Sequence, residues 1–147
     1  SEKFRFVLAT EVTKVATRAA SENLSLNAIN NVEFARLAAE EVTEALSGTR
    51  EFRRLKELST PIAAYDLETV LVDPPRAGLD SATLSLVGEF DQILYISCNP
   101  LTLLDNLDQL IESHDIISLA FFDQFPYTDH LEGGVNLSRR GHNEAIE

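Results

Sequence analysis

Cys98 is the only cysteine in 147 residues, and it sits at a junction. It belongs to ILYISCNP, Ile93–Pro100, where an apolar run of strand type gives way to Asn-Pro. Asn is a good helix N-cap and Pro suits the first helical position, so the thiol stands between a strand and a helix. The positive end of that helix favours the thiolate, the form in which sulfur is a nucleophile. A lone buried cysteine is more often a small packing residue, so the position carries more weight here than the residue type.

Three other polar groups fall at comparable places. Glu11 ends the apolar run RFVLATEV (Arg5–Val12), Asp73 ends LETVLVDPP (Leu67–Pro75), and the segment from Asp123 to Glu132 follows another apolar run. In an open α/β sheet, ligands bind beyond the carboxyl ends of the strands, so these groups together form one rim. Taken singly, a strand-terminal acid is more often a cap or a solvated residue. Glu11 could accept hydrogen bonds from both ribose hydroxyls of an adenosine ligand. In dinucleotide folds such an acid follows a glycine-rich turn by roughly 20 residues. Counting back from Glu11 places that turn before Ser1, and no G-x-G-x-x-G occurs in the chain. The nucleotide loop is therefore either absent from the fold or outside this chain. At Asp73, two following prolines fix φ and remove two backbone donors, which stiffens the loop and holds the carboxylate. Such a loop suits a site that holds a planar base against a reactive carbon, although Asp-Pro-Pro can also be a mere turn. A nucleophilic thiol facing a base held in this way would allow covalent catalysis.

These groups need strands and helices to place them. Alternating patterns predict strands near residues 5–11, 32–37, 68–73, 92–97, 116–122 and 134–139. Val12, Val15, Ala16, Ala19 and Leu24 recur at helical spacing up to about Asn27, and AEEVTEAL (Ala39–Leu46) reads as a helix closed by Ser47-Gly48. Thr49–Ser59 is charged and of helical type, and Pro61 ends it. Asp80-Ser81 can cap a short helix through Leu86. Leu103, Leu104, Leu107, Leu110 and Ile111 form the apolar face of the helix after Cys98. The last two strands are joined by PYTDHLEG with no helix between them, which predicts an antiparallel hairpin. The whole describes one α/β domain over residues 1–147 with a mainly parallel sheet that ends in that hairpin, a shape that resembles the Rossmann-like methyltransferases. Fold alone decides no function.

Composition sets limits. Hydrophobic residues make up 44% of the chain, which supports a globular core. No apolar run approaches the roughly 20 residues of a membrane span, and no signal peptide is visible. A single cysteine excludes an internal disulfide and fits a reducing cytoplasm. The absence of Met, with a start at SEKFRF already leading into a strand, predicts a piece of a longer protein. A net charge of −12 repels phosphate, so nucleic acid is not the default partner and must be argued from specific residues. Basic clusters exist at Arg50, Arg53, Arg54 and Lys56, and at Arg139 and Arg140, but such clusters are more often solvated faces. Three scattered histidines give no metal spacing, and His130 reads as structural.

VLATEV, VDPPRAGLD, ILYISCNP, FFDQFPYT and HLEGGV occur in this order along the chain. In that order and spacing the sequence resembles the RNA uracil-5-methyltransferases over essentially its whole length, and FDQFPYT points to the members that act on tRNA. The resemblance implies S-adenosylmethionine as methyl donor and the T-arm of tRNA as substrate, with methylation at C5 of a T-loop uridine. It makes Cys98 the nucleophile and Glu132 the general base. Glu11 and Asp73 would contact the cofactor or the pocket beside it, and Arg76 the RNA. It implies no metal and no membrane. It also implies that the first catalytic-domain strand, the glycine-rich cofactor loop and an RNA-holding N-terminal part would precede Ser1. A sheet without its central strand would have a gap, with edges that invite non-native pairing between chains.

The chemistry explains the residue types. Uracil C5 is too weak a nucleophile to take a methyl group unaided. Thiolate addition at C6 makes it an enolate carbon, and a carboxylate must then remove the C5 proton so that sulfur can leave. Two alternatives stay open. One is an amino-methyltransferase using the Asp-Pro-Pro loop to hold an exocyclic amine, which would need no cysteine. The other is a non-catalytic fragment.

Overall fold

A computed structural model describes residues 3–128 and 130–141. Strands and helices alternate: β1 (Val7–Thr10), α1 (Lys14–Leu26), β2 (Val32–Ala35), α2 (Ala39–Leu46), α3 (Arg53–Lys56), a 3-10 turn (Ile62–Ala64), β3 (Thr69–Val72), α4 (Ser81–Val87), β4 (Gln92–Ser97), α5 (Pro100–Leu110), β5 (His114–Phe122) and β6 (Glu132–Arg139). The chain forms two compact units, Ser1–Asp66 and Leu67–Glu147. The strands fall into two sheets, β1–β2 in the first unit and β3–β4–β6–β5 in the second.

In the first unit β1 and β2 pair in parallel, from Val7 against Val32 to Thr10 against Ala35, with α1 as the crossover. Ala35, Leu37 and Phe52 are buried, with Leu8, Val42, Ala45, Leu55 and Leu58 packed on them. Glu33, a polar interruption in the apolar run of β2, accepts hydrogen bonds from the amides of Ser59 (2.7 Å) and Thr60 (3.1 Å) and from the Tyr65 hydroxyl (3.1 Å). Partial burial pushes its carboxyl up, but these donors outweigh burial and hold it below the ordinary value. A single carboxylate thus ties residues 59–65 to the sheet. The expected helix across Thr49–Ser59 is realised only as Arg53–Lys56. Its basic residues are paired locally: Arg50 with Glu44, Arg53 with Glu57, Arg54 with Glu41 and Lys56 with Glu51. The first basic cluster is therefore matched by carboxylates along its own surface. None of the residues of α1 is buried, and Val15, on its apolar stripe, is 77% exposed.

In the second unit β3 runs parallel to β4, and β6 lies antiparallel between β4 and β5. One face carries the core. Ile93, Tyr95 and Leu137 are fully buried, and Leu84, Val87, Leu103, Leu107, Leu110 and Val135 complete the cluster, so α4 and α5 lie on that face. Each such aliphatic side chain contributes about 1.5–3 kcal/mol by leaving water. The face of α5 differs from the expected one. Leu104 and Ile111 are 58% and 39% exposed, and Asn106 is buried in their stead. The buried set Leu103, Asn106, Leu107 and Leu110 has the i, i+3, i+4, i+7 spacing of one helical stripe.

At the opposite end of this sheet, His114 is fully buried at the start of β5. Its Nε2 donates to the Phe90 carbonyl (2.8 Å), which can only accept, and its Nδ1 is hydrogen-bonded with the Ser113 hydroxyl (2.8 Å). Beside it, Arg139 pairs with Asp91 and donates to the Gly88 carbonyl, and Arg140 pairs with Asp115. The second basic cluster is thus also engaged within its own unit. Among the described residues no helix is long and apolar enough to cross a membrane.

Candidate active site

The expected caps place the site. Asn99 caps α5 by accepting from the Leu101 amide (3.2 Å), and Pro100 takes the first helical position. Asp80 caps α4, accepting from the amides of Ala82 and Thr83 (3.0 Å each) and from the Thr83 hydroxyl (2.6 Å). Those bonds, led by the Thr83 side chain, hold its carboxyl below the ordinary range. Cys98 therefore stands, half-buried, in the single turn between the last residue of β4 and the cap of α5.

Register decides which groups share this end of the sheet. Val72 pairs with Tyr95, Ser97 with Gly133, and Phe122 with Glu132. Asp73 thus follows the last rung of β3. Cys98 and Glu132 are the next residues outward from the Ser97–Gly133 rung on two adjacent strands. Glu132 is half-buried and Asp73 exposed. Glu132 was expected in the hairpin connection, within PYTDHLEG, but it is the first residue of β6. Gly133 reads as a loop residue in sequence and Gly134 as the first residue of the strand; both lie within β6. A Cβ at Gly133 would lie 3.1 Å from Leu103 Cδ2, and one at Gly134 would lie 3.5 Å from the Phe122 ring. Gly133 lets α5 approach the strand; it does not end it. Asp129 of that connection lies outside the described residues.

The loop after Asp73 is held from below. Pro74 is buried, and the Gly78 amide donates to the Pro75 carbonyl (2.9 Å) to close a turn. Gly78 has φ +77°, and a Cβ there would meet Asn106 Oδ1 at 2.9 Å, so glycine is required twice over. Asn106 Oδ1 accepts from the Leu79 amide (2.9 Å) and from the Tyr95 hydroxyl (2.7 Å), while its Nδ2 donates to the Leu79 carbonyl (3.4 Å). The Arg76 carbonyl accepts from Asn99 Nδ2 (2.9 Å) and from the Thr102 hydroxyl (3.2 Å). The loop bearing Asp73 and the turn bearing Cys98 are therefore stitched to one another through backbone acceptors. The Arg76 side chain remains exposed, and among the described residues no carboxylate pairs with it.

Asn106 and Tyr95 were not among the residues singled out in the sequence. The signal available was a lone amide within the leucine-rich run LTLLDNLDQL, on the stripe of Leu103 and Leu110. Asn106→Ala is expected to lower stability by about 2–4 kcal/mol, because the Leu79 amide and the Tyr95 hydroxyl both lose a buried acceptor. Urea unfolding at neutral pH measures this; a change below about 0.5 kcal/mol, the size of an ordinary surface substitution, would contradict the clamp.

Glu11 lies in the first unit, directly after β1, where its amide extends the pairing by donating to the Ala35 carbonyl (3.2 Å). Its Oε1 accepts from the Thr13 amide (2.6 Å). Hydrogen bonds from the Thr13 side chain and amide hold the carboxyl below the ordinary range, so it is ionised at neutral pH. Two open concavities along α1, one including Ser21 and Ile29 and the other Lys14 and Arg18, are lined by none of these candidate residues.

The family model for tRNA (Uracil-5-)-methyltransferase matches residues 1–140. The chain belongs to this family. A tRNA/tmRNA (uracil-C(5))-methyltransferase of Neisseria meningitidis serogroup C is 54% identical over 140 residues, covering 95% of this chain and 38% of the relative. The corresponding protein of Nitratiruptor sp. is 55% identical over 139 residues, with the same coverage. The chain therefore spans well under half the length of the curated relatives it matches. Among solved structures, the Pyrococcus abyssi tRNA (uracil-54, C5)-methyltransferase in complex with S-adenosyl-L-homocysteine superposes with a TM-score of 0.67 at 26% identity, over 92% of this chain and 29% of that one. The fold is thus the Rossmann-like methyltransferase fold, and within this uracil-5-methyltransferase family member the antiparallel hairpin enters the sheet through β6.

Proposed function

We propose that the chain carries the base-binding and catalytic part of an S-adenosylmethionine-dependent methyltransferase that modifies C5 of a uridine in the T-loop of tRNA, in the cytoplasm. The observation that carries this is the register that puts Cys98 and Glu132 on adjacent strand ends, beside the clamped Asp73–Leu79 loop. Family membership and the names of the relatives support the substrate class.

The residues fit the cofactor in kind. Glu11 is an ionised carboxylate at a strand's carboxyl end, suited to accept from two ribose hydroxyls, and Asp73 offers a second carboxylate at another strand end. S-adenosylmethionine, when bound, supplies the electrophilic methyl group that C5 takes. Everything else falls to the chain. The Cys98 sulfur adds to C6, and the electron pair of the C5–C6 double bond moves into the enolate. Glu132 takes the C5 proton after methylation. The electrons of that C–H bond re-form C5=C6, the C6–S bond breaks, and Cys98 leaves as thiolate. The stiff Asp73-Pro74-Pro75 loop keeps the uracil plane against the sulfur. Arg76, exposed while its carbonyl is pinned, meets a phosphate in a chain otherwise repelled by RNA. The T-loop base must leave its stack to reach these groups.

The test is RNA bearing 5-fluorouracil at the target position, mixed with the full-length protein and methyl donor. Fluorine at C5 cannot be removed as a proton, so a methylated covalent protein–RNA complex should accumulate and appear by intact mass. If the full-length protein methylated ordinary tRNA yet formed no such complex, the covalent route would be wrong. If it formed the complex only with non-tRNA substrates, the assignment to tRNA would fall.

A further inference from the structure

Among the described residues Tyr127 is the most exposed large hydrophobic side chain, at 105% relative exposure, and its backbone has φ +69°. Only one other described non-glycine residue, Ala28, has a positive φ. The Thr128 amide donates to the Phe125 carbonyl (3.2 Å), closing a turn with Pro126 at its second position and Tyr127 at its third. A proline followed by a positive φ is the type II pattern, whose third position ordinarily takes Gly or Asn. Here it takes a bulky ring that stands fully exposed. A bulky residue held at positive φ persists only where its surroundings over-determine it, and such positions cluster at functional sites. The surroundings do so. The Thr128 hydroxyl also donates to the Phe125 carbonyl (2.7 Å) and accepts from the His130 amide (3.2 Å). The rings of Phe125 and His130 meet edge to face at 6.1 Å. The turn is built to hold an aromatic outward.

Its place is informative too. The loop leaves the sheet at Phe122 and returns at Glu132, which pair with one another, so it rises from the same sheet end as Cys98. In a chain of net charge −12, a phosphate contact is opposed at long range, whereas stacking a neutral ring on a base requires no charge.

We propose that Tyr127 is a substrate-positioning residue that stacks on an unpaired base of the RNA next to the extruded uridine. This rests on the tRNA reading above. Because such a contact forms equally in ground and transition states, its loss should appear in KM and leave kcat alone.

The experiment uses the full-length protein and a T-arm hairpin. Tyr127→Ala should raise KM for RNA about 5- to 150-fold, the span that base–aromatic stacking covers, with kcat unchanged. Tyr127→Phe should behave as wild type, since the ring is what stacks. Tyr127→Gly should show the same KM rise with an unaltered or raised Tm, because glycine relieves the backbone strain. The salt dependence of binding should keep its slope, which a lost phosphate contact would lower. Abasic substitution along the hairpin loop should find one position whose loss does not add to that of Tyr127→Ala. The proposal is overturned if Tyr127→Ala leaves KM unchanged while wild type forms the 5-fluorouracil complex, and the tRNA reading then stands. It is equally overturned if Tyr127→Gly lowers Tm without changing KM, which would mean the ring packs within the protein. Should wild type neither bind the hairpin nor form the complex, the tRNA reading itself fails and takes this one with it.

Discussion

Cys98→Ala in the full-length protein should abolish both the covalent RNA complex and methyl transfer. The reason lies in the order of events. Without sulfur at C6 no enolate forms, and C5 has no means of taking the methyl group, so both signals vanish together with no partial phenotype. Folding should survive, because Cys98 is half-buried in a turn whose bonds run through Ser97 and Asn99: the Ser97 hydroxyl donates to the Asn99 carbonyl (3.0 Å), and the Asn99 amide donates back to that hydroxyl (3.1 Å). Radiolabelled methyl donor with denaturing gels reads both quantities at once. A Cys98→Ala protein that still methylated tRNA would refute covalent catalysis and would favour direct methylation of an amine held by the Asp-Pro-Pro loop.

Glu132→Gln should fail later and look different. Addition and methylation proceed, because neither needs this carboxylate, but proton removal stalls. A methylated covalent complex should therefore build up on ordinary tRNA, without fluorine in the base. General-base catalysis is worth about 10²–10⁴-fold, so turnover should fall by that factor and slow release by water should remain visible. The amide is nearly the same shape, so loss of stability is not the explanation; an unchanged Tm alongside the trapped complex separates chemistry from folding. Wild-type turnover by Glu132→Gln would remove Glu132 from the role of base.

The two substitutions concern residues whose nearness was only half legible. Each strand was readable, because runs such as Ile93–Ser97 and Thr69–Val72 are apolar, β-branched and bounded by punctuation. The caps Asp80 and Asn99 were readable because a short polar side chain ahead of an apolar run has a single common use. What one-dimensional pattern could not supply was which strand lies beside β4. A hairpin was foreseen from PYTDHLEG, but its insertion by the β6 side depends on Gly133 making room for Leu103, a fact of packing between residues far apart in sequence. The same limit hid Asn106. Counted along the chain it is a polar residue among leucines; only once Leu79 and Tyr95 arrive from two other elements does burial become favourable. The shortened β2 has a local cause, since the Leu37 amide turns back onto the Ala35 carbonyl (3.0 Å) and the expected strand to 37 stops at Ala35.

The position of β6 between β4 and β5 also bears on how the molecule is assembled in time. The β5–β6 hairpin closes a short loop and can form within microseconds from local contacts, whereas the β4–β6 ladder closes over α5 and the whole hairpin. The hairpin can therefore exist as a unit before it docks, and during that interval the sulfur of Cys98 and the carboxylate of Glu132 belong to separate bodies. A chain that has made every helix and every local turn but has not yet zipped β6 onto β4 does not yet hold Cys98 and Glu132 on adjacent strand ends. The juxtaposition of the two strand ends arrives with a non-local pairing, later than the local hairpin, so a nascent or partly opened chain lacks the arrangement on which the proposed function rests.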